Sequence, residues 1–438
     1  MIHRLQAIAL LAIRAALRSR VVLMLGALLL LTVVGLPVWI RGDGTPQGTF
    51  TLLVGHTLTA CFVILAATAL WAGCAAMAIE RHGGVATLTA AKPVHPLQLW
   101  LGKWLGLTLL ATIMLTLTLL TLLLRIHYYG NTAIPADWQR CNLIIAPDMP
   151  KPEIEADLYL KKLAEAGKLP TDTPISTLKA DIIREINNRY EIINPGNTKT
   201  WHFNIPPHPT AKPGDPLLRA TFETQHYLRN ESQLSITVAA SDSPPLLLND
   251  NGAVMAGEPL LTTLPAAVIT PGAPLAATFS LSATATEPLF IHPGRNLALL
   301  LPGINFTANL CRTGIIMAAI LALFTAIGLT LGSCFSFPVA SFAATAFVML
   351  TMIGACVYDD QTPLQDEPPI ERAGWHIIRT ATIASRPLFA AAPVKRLVSN
   401  EEIPLHDVAQ PLVTGLIYAP ALLALFSTVI LRRKEVEG

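Results

Sequence analysis

Apolar residues fall along this chain in a few long unbroken runs, and a polar segment of mixed pattern separates the third run from the fourth. Residues 21–40 carry no charge and are rich in Leu and Val. Residues 51–79 are also uncharged, with His56 the one histidine among them. Residues 104–124 are uncharged between Lys103 and Arg125, and residues 408–431 between Asp407 and Arg432. The longest run, 313–358, covers 46 positions between Arg312 and Asp359. A helix rising 1.5 Å per residue needs about 20 apolar residues to cross roughly 30 Å of hydrocarbon. The longest run is therefore two spans, and Gly332, Ser333, Cys334, Ser336 and Pro338 mark a tight turn between them. The pattern predicts an α-helical polytopic membrane protein with six transmembrane helices. Residues 376–394 are fairly apolar, but Arg379, Arg386, Pro387 and Pro393 interrupt them. They read as an interfacial or re-entrant stretch rather than a seventh span.

The first twenty residues form their own element. Arg4, Arg14, Arg18 and Arg20 interrupt an apolar stretch, and no small-residue cleavage site follows. They predict an amphipathic helix on the membrane surface with its arginines toward lipid headgroups.

The segment 127–310 lies between the third and fourth runs and is long enough for its own core. Ile154, Leu158 and Leu163 predict one face of a first helix, which Gly167 and Pro170 stop. Leu178, Ile182, Ile186 and Tyr190 predict a second, which ends at Pro195-Gly196. The period then changes to two, as in 234–238 and 279–281. Clusters such as Pro213-Gly214-Asp215 and Asn249-Asp250-Asn251-Gly252 separate such runs. The expectation is a large α+β extracytoplasmic domain, two helices followed by a β-sandwich.

Composition agrees with the runs. Hydrophobic residues make up 52% and charged residues 14%, with mean hydropathy +0.50. An ordinary soluble domain has about 25% charged residues. The net charge of +2 gives no global field for nucleic acid. Basic residues set the orientation. With the N-terminus inside, segments 1–20, 80–103 and 432–438 hold ten basic and three acidic residues, whereas 359–407 holds five basic and eight acidic. Both termini then lie in the cytoplasm. The resulting segments are 1–20, 21–126 with the inner loop 80–103, 127–310, 311–358, 359–407 and 408–438. A Cys141–Cys311 bridge is conceivable in an oxidising compartment.

Motifs for chemistry are missing. No Gly-x4-Gly-Lys-Ser/Thr loop, Gly-x-Ser-x-Gly elbow or His-Glu-x2-His occurs, and His202 and His208 lack metal-site company. The chain therefore reads as no enzyme, with no metal or cofactor of its own. Its spans lack Asp, Glu, Lys and Arg, the groups through which ion-coupled carriers work.

The most informative stretch is loop 80–103. Glu80-Arg81 ends the second span, Gly83-Gly84 permits a sharp turn, Lys92-Pro93-Val94-His95 follows, and Gly102-Lys103 opens the third span. With Phe335-Ser336-Phe337-Pro338-Val339-Ala340 between the fourth and fifth spans and Arg432-Arg433-Lys434-Glu435-Val436 at the end, this order resembles the permease subunits of type-2 ABC exporters. That family includes the multicopper-enzyme-maturation permease group. The resemblance covers roughly 1–126 and 311–438. Gly84-Val85 departs from the usual Gly-Thr, the 332–337 loop carries no charge, and the segment 127–310 is larger than in many members.

The resemblance implies a separate ABC ATPase subunit, which carries ATP and Mg, docking beneath loop 80–103. Glu80, Arg81, Gly83, Gly84, Lys92, Pro93 and His95 are the implied contact residues. It also implies a second permease copy or a related permease, the lipid bilayer of a bacterial plasma membrane, and periplasmic proteins as partners of 127–310. Nucleic acid is not expected. The work done is either export or mechanical work passed to the outer side. The alternative is a non-transport membrane scaffold whose outer domain binds a partner.

Overall fold

The structure is a computed structural model of the 438-residue chain. It describes residues 2–39, 46–82, 95–128, 140–149, 152–166, 175–207, 215–224, 231–240, 244–293, 296–357 and 392–436. In chain order the first helices are α1 (Ile2–Arg18), α2 (Arg20–Trp39), α3 (Pro46–His82) and α4 (Pro96–Tyr128). Then come β1 (Arg140–Ile145), α5 (Pro152–Glu165), α6 (Ile175–Glu191), β2 (Ile192–Ile193), β3 (Thr198–Asn204), β4 (Leu217–Thr221) and β5 (Glu223–Thr224). They are followed by β6 (Glu231–Ala240), β7 (Leu246–Met255), β8 (Pro259–Thr263), β9 (Pro274–Leu281), β10 (Leu289–Phe290) and β11 (Leu297–Asn305). The last helices are α7 (Phe306–Cys334), α8 (Phe337–Val357), α9 (Pro393–Val398), α10 (Leu405–Val413) and α11 (Ala419–Val436). The chain forms a helical unit, Met1–Gln139 with Asn305–Gly438, and a β-rich unit, Arg140–Ile304.

Within the helical unit four stretches are long and apolar enough to cross a membrane: Gly48–Ile79, Pro96–His127, Phe306–Cys334 and Leu405–Leu431. They contain four of the expected spans, and the second of them begins at Pro96, so residues 96–103 of the expected inner loop are helix. The bent pair α1–α2, turned by 73° at Ser19, makes a fifth if counted as one span. α8 is a 21-residue apolar helix at the fifth expected position. α7 is the centre of the unit: 78% of its most apolar window is buried, against 28–39% for the other three. α4 instead exposes Leu105, Leu109, Ile113, Leu117, Leu120 and Leu124, an apolar stripe suited to lipid. Threonines are tolerated in these helices because their hydroxyls donate back to the carbonyl four residues earlier. Thr68, Thr112, Thr325 and Thr330 all do so at 2.7–2.9 Å.

α3 and α7 run parallel. Phe50 meets Phe306 at one end, with ring centroids 5.4 Å apart. Toward the other end, a Cβ on Gly328 would lie 2.2 Å from the Leu70 carbonyl oxygen, and one on Gly332 would lie 2.5 Å from that of Cys74. The pair Gly328-x3-Gly332 thus lets two backbones touch, as small residues do between membrane helices. The turn expected at 332–338 begins further along the chain. Gly332, Ser333 and Cys334 are still helical; the break lies at Phe335 and Ser336, and the Ser336 carbonyl accepts from the Ala340 N–H at 2.8 Å.

The β-rich unit has two four-stranded sheets, ordered β1-β11-β4-β8 and β3-β9-β6-β7, and a small sheet β2-β10-β5. The inward residues of both large sheets share one core: Trp201 and Phe203 of β3, Leu218 of β4, Leu234 and Ile236 of β6, Phe279 of β9 and Leu299 of β11. Trp201 and Phe222 both meet Phe279 edge-on, at 5.3 and 5.9 Å. The alternation seen at 234–238 and 279–281 is this inward face.

Three details differ from expectation. Strand β1 precedes the two helices. Asn249–Gly252 does not separate strands but lies inside β7 as a bulge, where pairing jumps from Leu234↔Gly252 to Ile236↔Asn249. On α5 most of the expected face is turned outward: Ile154 and Leu158 are exposed and Leu163 is half-buried, and the helix packs through Ala156 and Leu160 against Ile182 and Ile186 of α6. A small residue at the crossing lets the helices approach closely, and that decides the face. Cys141 and Cys311 form no bridge; both are thiols, Cys141 buried and Cys311 exposed.

Candidate functional site

The expected contact residues surround a break in the described chain. Glu80 and Arg81 lie in the last turn of α3. Gly83, Gly84, Lys92 and Pro93 lie outside the described residues. His95 is exposed and starts α4: its Nδ1 accepts from the Leu97 N–H at 3.2 Å, and its carbonyl accepts from Gln98 at 2.8 Å. With Pro96 in the first helical position, which needs no N–H partner, this is a firm helix start.

The next three turns of α4 are unusually built. Gly102 and Gly106 face α1, where a Cβ on Gly102 would lie 2.7 Å from Ile8 Cγ2 and one on Gly106 would lie 2.4 Å from the Ala9 carbonyl oxygen. Lys103 is 3% exposed, and its Nζ donates to the Ala76 carbonyl of α3 at 2.6 Å. Trp104 Nε1 donates to the Ala322 carbonyl of α7 at 3.0 Å. Trp100, fully buried, stacks on Trp104 with centroids 6.3 Å apart and planes 15° apart. A few adjacent positions therefore lock α4 to α1, α3 and α7 at once. Gly102-Lys103 was legible as a motif. Gly106, Trp100 and Trp104 carry only a spacing signal: Trp100-x3-Trp104 and Gly102-x3-Gly106 share the i, i+4 spacing of helix neighbours.

The first turns of α7 carry a second polar assembly. Asn309, wholly buried, donates from Nδ2 to the Glu401 carbonyl at 2.7 Å, and its Oδ1 accepts from the Ile403 N–H at 3.0 Å. Arg312 donates to Glu402 Oε1 at 2.9 Å and to the Ile403 carbonyl at 2.6 Å. Arg396 pairs with Asp407 at 2.5 Å. The strap 392–407 is thus pinned to α7, with Val398 packed over Gly55 of α3. Beyond it, Pro411 lies inside α10, and Thr414–Tyr418 form a π-helical turn in which Gly415 sits against the Ala319 carbonyl.

The β-rich unit has a cleft of about 460 Å³ lined by Glu185, Asn188, Asn197 and Lys199. Lys199 Nζ donates to the Ile192 carbonyl at 2.9 Å and to that of Arg189, closing the end of α6. Burial lowers the pKa of its ammonium, and Glu191 opposes that shift. Tyr190 donates to Glu155 at 3.4 Å; burial first, then that carboxylate, raises its pKa. His202 lies on β3, and His208 lies outside the described residues. No group of three His, Cys, Asp or Glu among the described residues could hold a metal. Comparison with family models, curated proteins and solved structures finds no match to the chain.

Proposed function

We propose that this chain is the membrane-spanning permease subunit of an ATP-driven ABC transporter of the type-2 exporter kind. The observation that carries the reading is the locked base of α4. A short loop can deliver force only if the helices it joins are held rigidly, since a loosely seated helix end would absorb the displacement. The loop between α3 and α4 joins the last turn of α3 to an α4 base that begins at Pro96, is bonded to α3 through Lys103 and is pressed against α1 and α7. A push from a separate ATPase beneath that loop would move four helices together.

Six spans with both termini in the cytoplasm complete the reading: α2, α3, α4, α7, α8 and α10–α11. The parallel course of α3 and α7 supports this, because second and fourth spans run in the same direction. The membrane is then a bacterial inner membrane, the β-rich unit is extracytoplasmic, and two permease copies or two related ones pair.

The test is affinity purification of the tagged chain in mild detergent, with identification of what accompanies it. A stoichiometric P-loop ATPase, lost when Glu80 and Arg81 are changed to Ala, is the expected result. Recovery of the intact chain alone, across several detergents and nanodiscs, would overturn the reading.

A further inference from the structure

We infer that the elbow between α1 and α2 is a binding site for an anionic phospholipid, with Arg14, Arg18 and Arg20 holding its headgroup. This inference rests on α2 crossing the membrane and not on the ATPase reading.

Three observations meet at the elbow. The first is charge. Arg14, Arg18 and Arg20 are all exposed, and among the described residues none of them makes an ion pair. The first acidic residue of the chain is Asp43, so α1 and α2 carry no carboxylate of their own. Arg14 and Arg18 stand one helical turn apart on the same side of α1, about 6 Å along its axis. The second is orientation. α1 packs on α4 through the face bearing Ile8, Ala9, Ala12 and Ala16. At 100° per residue, Arg14 and Arg18 fall on the opposite face. The third is the bend. The chain turns by 73° at Ser19, whose carbonyl accepts from the Leu23 N–H at 3.0 Å as α2 begins. If α2 crosses the bilayer, α1 lies close to the membrane plane and the arginines sit at headgroup depth.

The surroundings choose the occupant. An acidic protein surface would explain the arginines but not the exposed leucines beside them, Leu10, Leu11 and Leu17. Nor would it explain the exposed apolar side chains that follow the elbow down α2, Leu23, Met24, Leu30 and Leu31. A phospholipid satisfies both, with its phosphate against guanidinium groups and its acyl chains along α2. Guanidinium suits phosphate because it offers planar, paired donors.

A cation near an anionic membrane surface contributes about a fivefold preference, and a single phosphatidylglycerol carries one net charge, so a preference of at least about fivefold over a zwitterionic lipid is expected. Native mass spectrometry of the full chain, titrated with phosphatidylglycerol or phosphatidylcholine, reads this directly. Tight retention of at least one phosphatidylglycerol, reduced to the phosphatidylcholine level in Arg14→Gln/Arg18→Gln/Arg20→Gln, is the expected result. The matching triple Lys variant should keep most of the preference and shows that the chain tolerates changes there. Equal retention of the two lipids by the native chain would overturn the inference, as would a preference unchanged in the Gln variant. So would loss of a co-purifying protein from the Gln variant without loss of lipid selectivity, because the arginines would then serve a protein partner.

Discussion

Replacing Asn309 by Leu keeps the branched four-heavy-atom outline of the side chain, at a larger volume, and removes both amide contacts to the strap. Asn309 is wholly buried, and Ile403, whose N–H it accepts, is equally buried. The substitution strands one backbone N–H and weakens one carbonyl contact, that of Glu401. A buried polar group left unpaired costs about 1–3 kcal/mol, and the lost contact to the half-buried Glu401 carbonyl about 0.5–1.5 kcal/mol more, so the total is about 1.5–4.5 kcal/mol. Leu returns part of this through apolar contact, and a value toward the lower end, about 2 kcal/mol, is the safer expectation. That is about a 30-fold shift in the opening equilibrium of the strap, since 1.4 kcal/mol is tenfold. Hydrogen exchange of the full chain in nanodiscs, read on peptides covering 399–404, should therefore accelerate about 30-fold or more. Peptides from the centre of α7 should not change, because the Gly328–Leu70 contact lies several turns away. Acceleration of less than threefold would refute the claim that the amide holds the strap. Equal acceleration throughout α7 would show instead that the whole bundle had loosened.

Gly328→Ala puts a methyl group 2.2 Å from the Leu70 carbonyl oxygen and should cost about 1–3 kcal/mol, lowering the unfolding midpoint in a detergent titration. Gly26→Ala meets nothing within 4 Å and should be neutral or raise the stability by up to about 1 kcal/mol through helix propensity, read as an unchanged or higher midpoint. The Tyr190 phenol should titrate above the ordinary value of about 10, read as the phenolate absorbance difference between wild type and Tyr190→Phe. Because the folded pKa is raised, the stabilisation is complete below the unfolded value and is lost as pH rises through the folded one. Cys311 should react with a membrane-permeant maleimide in the native chain while Cys141, fully buried, is protected, and neither should be found as a disulfide.

The long apolar runs determined by themselves where the membrane helices lie, because hydrocarbon leaves an uninterrupted helix few alternatives. The alternation at 234–238 and 279–281 likewise determined two core strands. Tertiary structure decided what depends on which surfaces meet. Gly332 looked like a turn residue and is a packing residue, since only the neighbouring Cys74 backbone gives its missing side chain a purpose. Ile154 and Leu158 looked like a buried face, yet Ala156 took the contact because close approach favours the smallest side chain. Asn249-Asp250-Asn251-Gly252 has turn composition but is absorbed as a bulge, because pairing with β6 continues on both sides of it. At the α4 base, Gly102 and Lys103 were visible as letters. Their partners Ile8 and Ala76 lie far away in the chain, and only folding brings an N-terminal helix and the end of α3 to the same three turns.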